Sequence, residues 1–230
     1  SLPIARGRAS AGLLAHVLVA KYADHLPLYR QSAIYARDGV ELDRSTLADW
    51  VGGAAALLRP LVDALARHVM SGGVLHADDT PVPVLAPGTG RISTGRLWAY
   101  LRDERSHGGV TPPAVLYRYS PDRRAQHPRA QLRDFRGVLQ ADGYSGFEGL
   151  YEGGHVVEAA CWAHVRRGFH DLHVSGETPI ATEAIRRIAL LYAVEEGIRG
   201  EPPDTRAAAR RARAGPVLDD MRAWFTTTLA

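Results

Sequence analysis

The sequence predicts an α/β chain of the α+β kind: a mixed five-stranded sheet with flanking helices, a helical region before it and a helical segment after it. Three observations lead there. Apolar residues fall at helical spacing from Ser10 to Met70, and from Val74 the period shortens to that of strands. Three strand-like runs separated by turn residues are followed by a short helical stretch and two more strand-like runs, so the fourth strand can lie parallel to an earlier one. Two of the runs carry carboxylates among or beside apolar residues: Asp78 and Asp79 in VLHADDTPVPVL, and Asp142 in GVLQADG.

Composition narrows the class. A chain of 230 residues with 46% hydrophobic and 23% charged residues can bury a full core as one or two domains. The apolar run Leu13–Ala20 is too short to span a bilayer and is soon followed by Lys21 and Asp24. No secretory signal pattern occurs. The one cysteine, Cys161, excludes an internal disulfide and fits a reducing, cytoplasmic location. The net charge is +3, and Lys21 is the sole lysine among 28 basic residues. Arginine grips phosphate through a planar fork, although a coding bias towards Arg, Ala and Gly would leave the same skew.

In chain order, Leu13, Leu14, Val17, Leu18 and Tyr22 are spaced as a helix, and Pro27 can open a second that Gly39 ends. A third, short helix over Leu47–Val51 has Asp43 or Ser45 as its cap. Two helices joined by a Gly-containing turn form a helix-turn-helix pattern, with Arg44, Ser45 and Thr46 where such motifs reach DNA. An ordinary helical hairpin has the same pattern. Ala54–Met70 reads as a separate amphipathic connector, with Leu57, Leu58, Leu61, Leu65 and Val69 on one face. Strands are then expected at Val74–Leu85, Arg96–Arg102, Ala114–Tyr119, Gly137–Ala141 and Val156–Cys161. Short helices are expected at Pro128–Phe135, Ser145–Tyr151 and Ala163–Leu172. Ile180–Ile198 and Asp204–Leu229 are helical, the latter split at Gly215-Pro216. The expected organisation is a helix-turn-helix-like DNA-binding region over 1–52, a connector over 53–72, a catalytic core over 73–174 and a helical segment over 175–230.

A carboxylate inside a strand is costly unless it is paired, hydrogen-bonded or bound to a metal. Three antiparallel strands, a helix, then a strand parallel to the first is the order of the ribonuclease-H-like fold. If the fourth strand pairs beside the first, Asp78 and Asp142 become neighbours. Two close carboxylates repel unless protonated or bridged by cations, and a pair of Mg²⁺ ions would clamp the attacking and leaving oxygens of an in-line phosphoryl transfer. Surface acids at strand ends are the plainer alternative.

Five stretches resemble, in order, the insertion sequence 66 family of bacterial transposases. They are LPLYRQSAIYARDGVELDRSTLADWVGGAAALLRPL, LHADDTPVPVLAPG, GRLWAYLRD, LQADGYSGFEGLY and CWAHVRRGFHDL. The resemblance implies a ribonuclease-H-like catalytic domain with an Asp-Asp-Glu triad, Mg²⁺ or Mn²⁺ as cofactor, and transposon-end and target DNA as partners. It also implies assembly of several copies on that DNA. By motif match Asp78 is the first Asp and Asp142 the second. Strand parity does not choose between Asp78 and Asp79. The family usually has Glu at the position of Asp79, which makes Asp78 the expected ligand. The third acid lies, in the family, in an Asp-Asn-Asn segment followed by Glu-Arg, and no such segment occurs before Ala230. Glu183, Glu195 and Glu196 lack that setting. A Cys-rich zinc segment upstream is missing too. The expectation is a transposase chain truncated at both ends with an incomplete triad, the alternative being an inactive remnant that only binds DNA. A stand-alone ribonuclease H is disfavoured by the flanking helical regions.

Cys161 and His164 form a Cys-x-x-His pair, half of a zinc site. A packed Cys and a His turned towards the cleft is the simpler reading, and it leaves His164, Arg166 and Arg167 as candidate DNA contacts. His76, Trp98 and Tyr100 read as packed strand residues, and Arg206–Arg213 as a helix face that is either solvated or turned to DNA.

Overall fold

The computed structural model describes residues 3–4, 7–86, 88–176 and 178–229. The chain divides into two compact units, Ser1–Ala66 and Arg67–Ala230. The first holds α1 (Ala11–Tyr22), α2 (Leu28–Arg37) and most of α3 (Arg44–Met70). Ser10 caps α1, its hydroxyl accepting from the N–H of Leu13 at 3.3 Å. Gln31, buried on α2, donates to the carbonyls of Val17 and Leu26 at 3.3 and 3.0 Å and so ties the first two helices together. Gly39, at φ +79°, ends α2 in the left-handed conformation that glycine adopts without strain.

One helix replaces the two that the sequence predicts after this turn. α3 runs unbroken for 27 residues through Gly52, Gly53 and Pro60, across the expected boundary at 52–53. Each glycine costs only about 1 kcal/mol relative to Ala, and burial of Leu47, Ala54 and Val69 offsets it. The expected apolar stripe is not a buried one: Leu57, Leu58 and Leu61 are exposed.

The second unit is built on a five-stranded sheet ordered β3-β2-β1-β4-β5, made of β1 (Val74–Ala86), β2 (Arg91–Arg102), β3 (Ala114–Ser120), β4 (Gly137–Ala141) and β5 (Val156–Ala160). β1, β2 and β3 form an antiparallel meander. β4 lies parallel to β1, and β5 parallel to β4. α4 (Gln126–Leu132) makes the crossover from β3 to β4, and a 3₁₀ turn over Ser145–Phe147 with the short α5 (Glu148–Tyr151) links β4 to β5. This is the mixed sheet with flanking helices that the sequence predicts, in the ribonuclease-H-like order.

Alternation decides which residues enter the core. Leu75, Ala77, Trp98, Tyr100, Leu116, Leu139 and Ala141 are buried on one sheet face, together with Leu132, Phe135 and Phe147. The other face carries the exposed Leu97, Leu101, Tyr117, Tyr119 and Val157. The register of β4 depends on Gly137, at φ +137°, where a Cβ would collide with the Gly73 carbonyl. That carbonyl accepts the N–H of Val138 at 2.9 Å.

β1 is not the wholly buried strand expected. β4 pairs only with Val74, Leu75 and His76, while β2 follows β1 out to Ala86. β3 flanks β2 as far as Arg96, opposite Pro81; beyond that pair β1 and β2 continue as a two-stranded ribbon in which Leu85 and Ile92 are 76% and 66% exposed. Pro81 and Pro83 fall in the half of β1 that has lost its β4 neighbour, where a missing N–H disturbs the ladder least.

The C-terminal segment forms α6 (Trp162–Gly176), α7 (Pro179–Gly197), α8 (Pro203–Ala209) and α9 (Gly215–Leu229). Gly215-Pro216 does not split the last helix as expected. A π-helical turn over Arg210–Ala214 joins α8 directly to α9. The wider turn accommodates Pro216, which has no N–H to give and a ring that crowds the preceding turn. Ile188, Leu191 and Met221 form the local core with Phe169, Val217 and Phe225. Hydrogen bonds from Arg186 and Arg187 hold the Glu183 carboxyl down at about 2. Among the described residues no helix is long and apolar enough to cross a membrane.

Candidate active site

The parallel pairing of β1 with β4 runs Val74 with Val138, Leu75 with Leu139 and His76 with Gln140. Asp78 and Asp142 each lie two residues beyond the last pair, at equal depth in the sequence of each strand. Beyond that point β1 continues and β4 stops, so Asp142 lies at the carboxyl end of β4, the end at which ligands of α/β sheets commonly bind.

The neighbouring acids Asp78 and Asp79 have opposite environments because successive strand residues face opposite ways. Asp79 turns to the covered face beside Trp98, and its side chain is 2% exposed. Its Oδ2 accepts from Arg96 at 3.0 Å and its Oδ1 from Arg123 at 2.8 Å. A carboxylate so buried needs this compensation. Asp78 is exposed, and its Oδ1 accepts the backbone N–H of Asp79 at 2.8 Å.

Asp142 is half-buried where the chain leaves β4. Its Oδ1 accepts the N–H of Tyr144 at 3.2 Å, and its Oδ2 accepts from Arg123 at 3.1 Å. The structure therefore links Asp142 to Asp79 through a shared guanidinium. Among the described residues no hydrogen bond or ion pair links Asp142 to Asp78. The Arg123 guanidinium lies over the Tyr144 ring, 4.2 Å from its centroid, and the Tyr144 hydroxyl donates to the Arg123 carbonyl. Trp98, Tyr144 and Phe147 pack as one aromatic cluster, with centroids 5.7–6.2 Å apart. Burial pushes the Tyr151 phenol up to about 12, helped by the charges of Glu158 and Asp142, so it remains a hydrogen-bond donor.

Arg96, Arg123 and Tyr144 are participants that the sequence reading missed. The signal was there in part: an acid buried in a strand calls for a cation, and Arg123-Arg124 sits in the turn after β3.

The other candidates are distributed. β5 is parallel to β4, so Cys161–Arg167 leave the sheet at the same end as Asp142. His164, Arg166 and Arg167 are all exposed on the first turns of α6, and Cys161 is a half-buried free thiol. Arg44 and Ser45 are exposed in the first turn of α3, Thr46 half-buried. Asp43 takes the cap position, its carbonyl accepting from the N–H of Leu47 at 3.1 Å, and Ser45 lies within the helix. Arg44 and Ser45 line a hollow of about 610 Å³ with Lys21 and Tyr29. Among the described residues no three His, Cys, Asp or Glu side chains cluster as a metal site.

Comparison with known proteins agrees with this architecture. The profile described as the transposase IS66 family matches residues 6–230. The uncharacterized protein y4qI of Sinorhizobium fredii is 41% identical over 222 residues, covering 94% of this chain and 41% of that protein. The uncharacterized protein y4hP of the same organism is 39% identical over 237 residues, covering 96% of this chain and 43% of its own length. The chain spans about two-fifths of the length of the curated relatives it matches. With a profile match from Arg6 to the last residue on a sheet of this order, the chain belongs to the IS66 family of transposases.

Proposed function

We propose that the chain carries the catalytic core of a DNA transposase, in which Asp78 and Asp142 are the two strand-borne carboxylates of an Asp-Asp-Glu site. The observation that carries this reading is the in-phase parallel pairing of β1 and β4, which sets the two acids at matching positions beyond His76 and Gln140. Their oxygens suit Mg²⁺ or Mn²⁺, hard cations that take carboxylates and keep several waters. Asp78 and Asp142 would hold such a cation, which when bound neutralises charge on a phosphate and lowers the pKa of an attacking hydroxyl. The reaction class is phosphoryl transfer: water cleaves at the transposon end, and the freed 3′-hydroxyl attacks target DNA. Asp79 serves this site as a fixed anchor, since Arg96 and Arg123 already occupy both of its oxygens.

Calorimetric titration of the chain with Mn²⁺ tests the assignment. Asp78→Asn and Asp142→Asn should each weaken binding by roughly tenfold or more, because losing a ligand costs at least as much as losing the groups that orient it. Unchanged affinity in both variants would refute the site.

DNA is the partner this reading requires. Arg44, Ser45 and Thr46 at the start of α3, and His164, Arg166 and Arg167 on α6, are the residues assigned to it, with more than one copy assembling on the DNA. Affinity for transposon-end DNA should fall about a thousandfold or more between 50 and 200 mM salt if six or more phosphates are contacted. Arg44→Ala and Arg166→Ala should each flatten the salt slope by about one. A binding constant that barely responds to salt would count against the interface.

A further inference from the structure

We propose that Arg123 is a built-in counter-ion of Asp142 that a divalent cation must displace, making it a positioning residue that sets how tightly the site takes its metal. The inference rests on the assignment of Asp142 as a metal ligand. The geometry is asymmetric. Arg123 sends both Nε and Nη2 to Oδ1 of Asp79, at 2.8 Å each, and Nη2 also to Oδ2 of Asp142, at 3.1 Å. Asp79 is buried and keeps a second cation, Arg96. Asp142 has Arg123 as its one cationic partner among the described residues, and its side chain is 22% exposed. The Asp142 end of the bridge is therefore the exchangeable one.

The arginine itself is well held. Its guanidinium rests on the Tyr144 ring, whose hydroxyl returns to the Arg123 carbonyl, while the Tyr144 N–H fixes the other oxygen of Asp142. A cation bound by Asp142 would replace the Nη2 contact to Oδ2, while Arg123 would keep its contacts to Asp79 and Tyr144. That leaves a positive group beside Asp142. Before metal binds, the bridge keeps Asp142 oriented and its charge neutralised, so the two strand-end acids do not repel each other.

Mn²⁺ binding to the intact chain tests this. Arg123→Gln should tighten binding by roughly fivefold, the worth of a partly exposed ion pair, and Arg123→Gln combined with Asp142→Asn should lose the gain. Unchanged or weaker binding in Arg123→Gln would overturn the proposal, the weaker result meaning that Arg123 orients Asp142 for the cation instead of competing with it. Wild-type binding that ignores Asp142→Asn would instead refute the metal assignment on which the proposal rests, so the two failures are distinguishable. A second readout does not depend on the variant folding. In ¹⁵N-arginine-labelled wild-type chain, saturating Mg²⁺ should shift the Arg123 Nη2 signal, which loses Asp142 but keeps Asp79, while the Nε signal held by Asp79 alone stays in place. Arg123 signals that do not move at saturation would also overturn it.

Discussion

Replacing Asp79 by alanine is expected to lower the stability of the sheet unit by about 3 kcal/mol, in the lower part of the range for breaking a buried ion pair. The carboxylate is 2% exposed, so truncation strands two guanidiniums that converge on it. Arg96 and Arg123 are themselves 25% and 37% exposed, and water screens part of the loss. Asp78→Ala, one residue away, removes an exposed carboxylate and should change stability by no more than about 0.5 kcal/mol. Urea unfolding followed by far-UV circular dichroism separates the two. Equal effects would mean that Asp79 is not the buried anchor of the site. At adjacent positions one acid is buried and paired with two arginines and its neighbour is exposed.

Trp98→Ala is expected to cost about 3–5 kcal/mol, the range for deleting a large aromatic side chain from a packed core. Trp98 is 1% exposed, packs against Tyr144 and Phe147, and donates its indole N–H to the Ser120 hydroxyl at 2.8 Å. Trp98→Phe keeps most of the apolar volume but leaves that hydroxyl without its donor, and should cost about 1–2 kcal/mol. The same unfolding experiment gives both values. The effect should reach the site as well, because Tyr144 lies between Trp98 and the Arg123 guanidinium. Trp98→Phe is therefore expected to shift Mn²⁺ affinity, whereas Leu116→Val, a core change on the far side of β2, should not.

The order of elements was legible in the residues because it rests on local chemistry. Strand and helix periods, the glycine after α2 and the turns between the first three strands all act within a few residues of themselves. The errors came where packing overrode local preference. Gly52-Gly53 and Gly215-Pro216 are breaking signals, yet α3 runs straight through the first, with Leu47, Ala54 and Val69 buried along it, and a π turn absorbs the second. The apolar residues of β1 gave the appearance of a strand buried along its length, but how far β4 extends beside it is a tertiary matter, and β4 stops early.

By itself, the sequence determined that two acid-bearing apolar strands stand in the right order to become parallel neighbours, and which family motifs surround them. Strand parity left Asp78 and Asp79 indistinguishable and only the family resemblance favoured Asp78, since adjacent strand residues differ only in the face they take, and no local pattern states which face the helices will cover. The tertiary structure decided that point by covering the face of Asp79. It also supplied Arg123, 44 positions from Asp79 and 19 from Asp142. A bridge of that kind exists only once β3 has turned the chain back across the sheet, because an ion pair depends on distance in space and separation along the chain does not encode it.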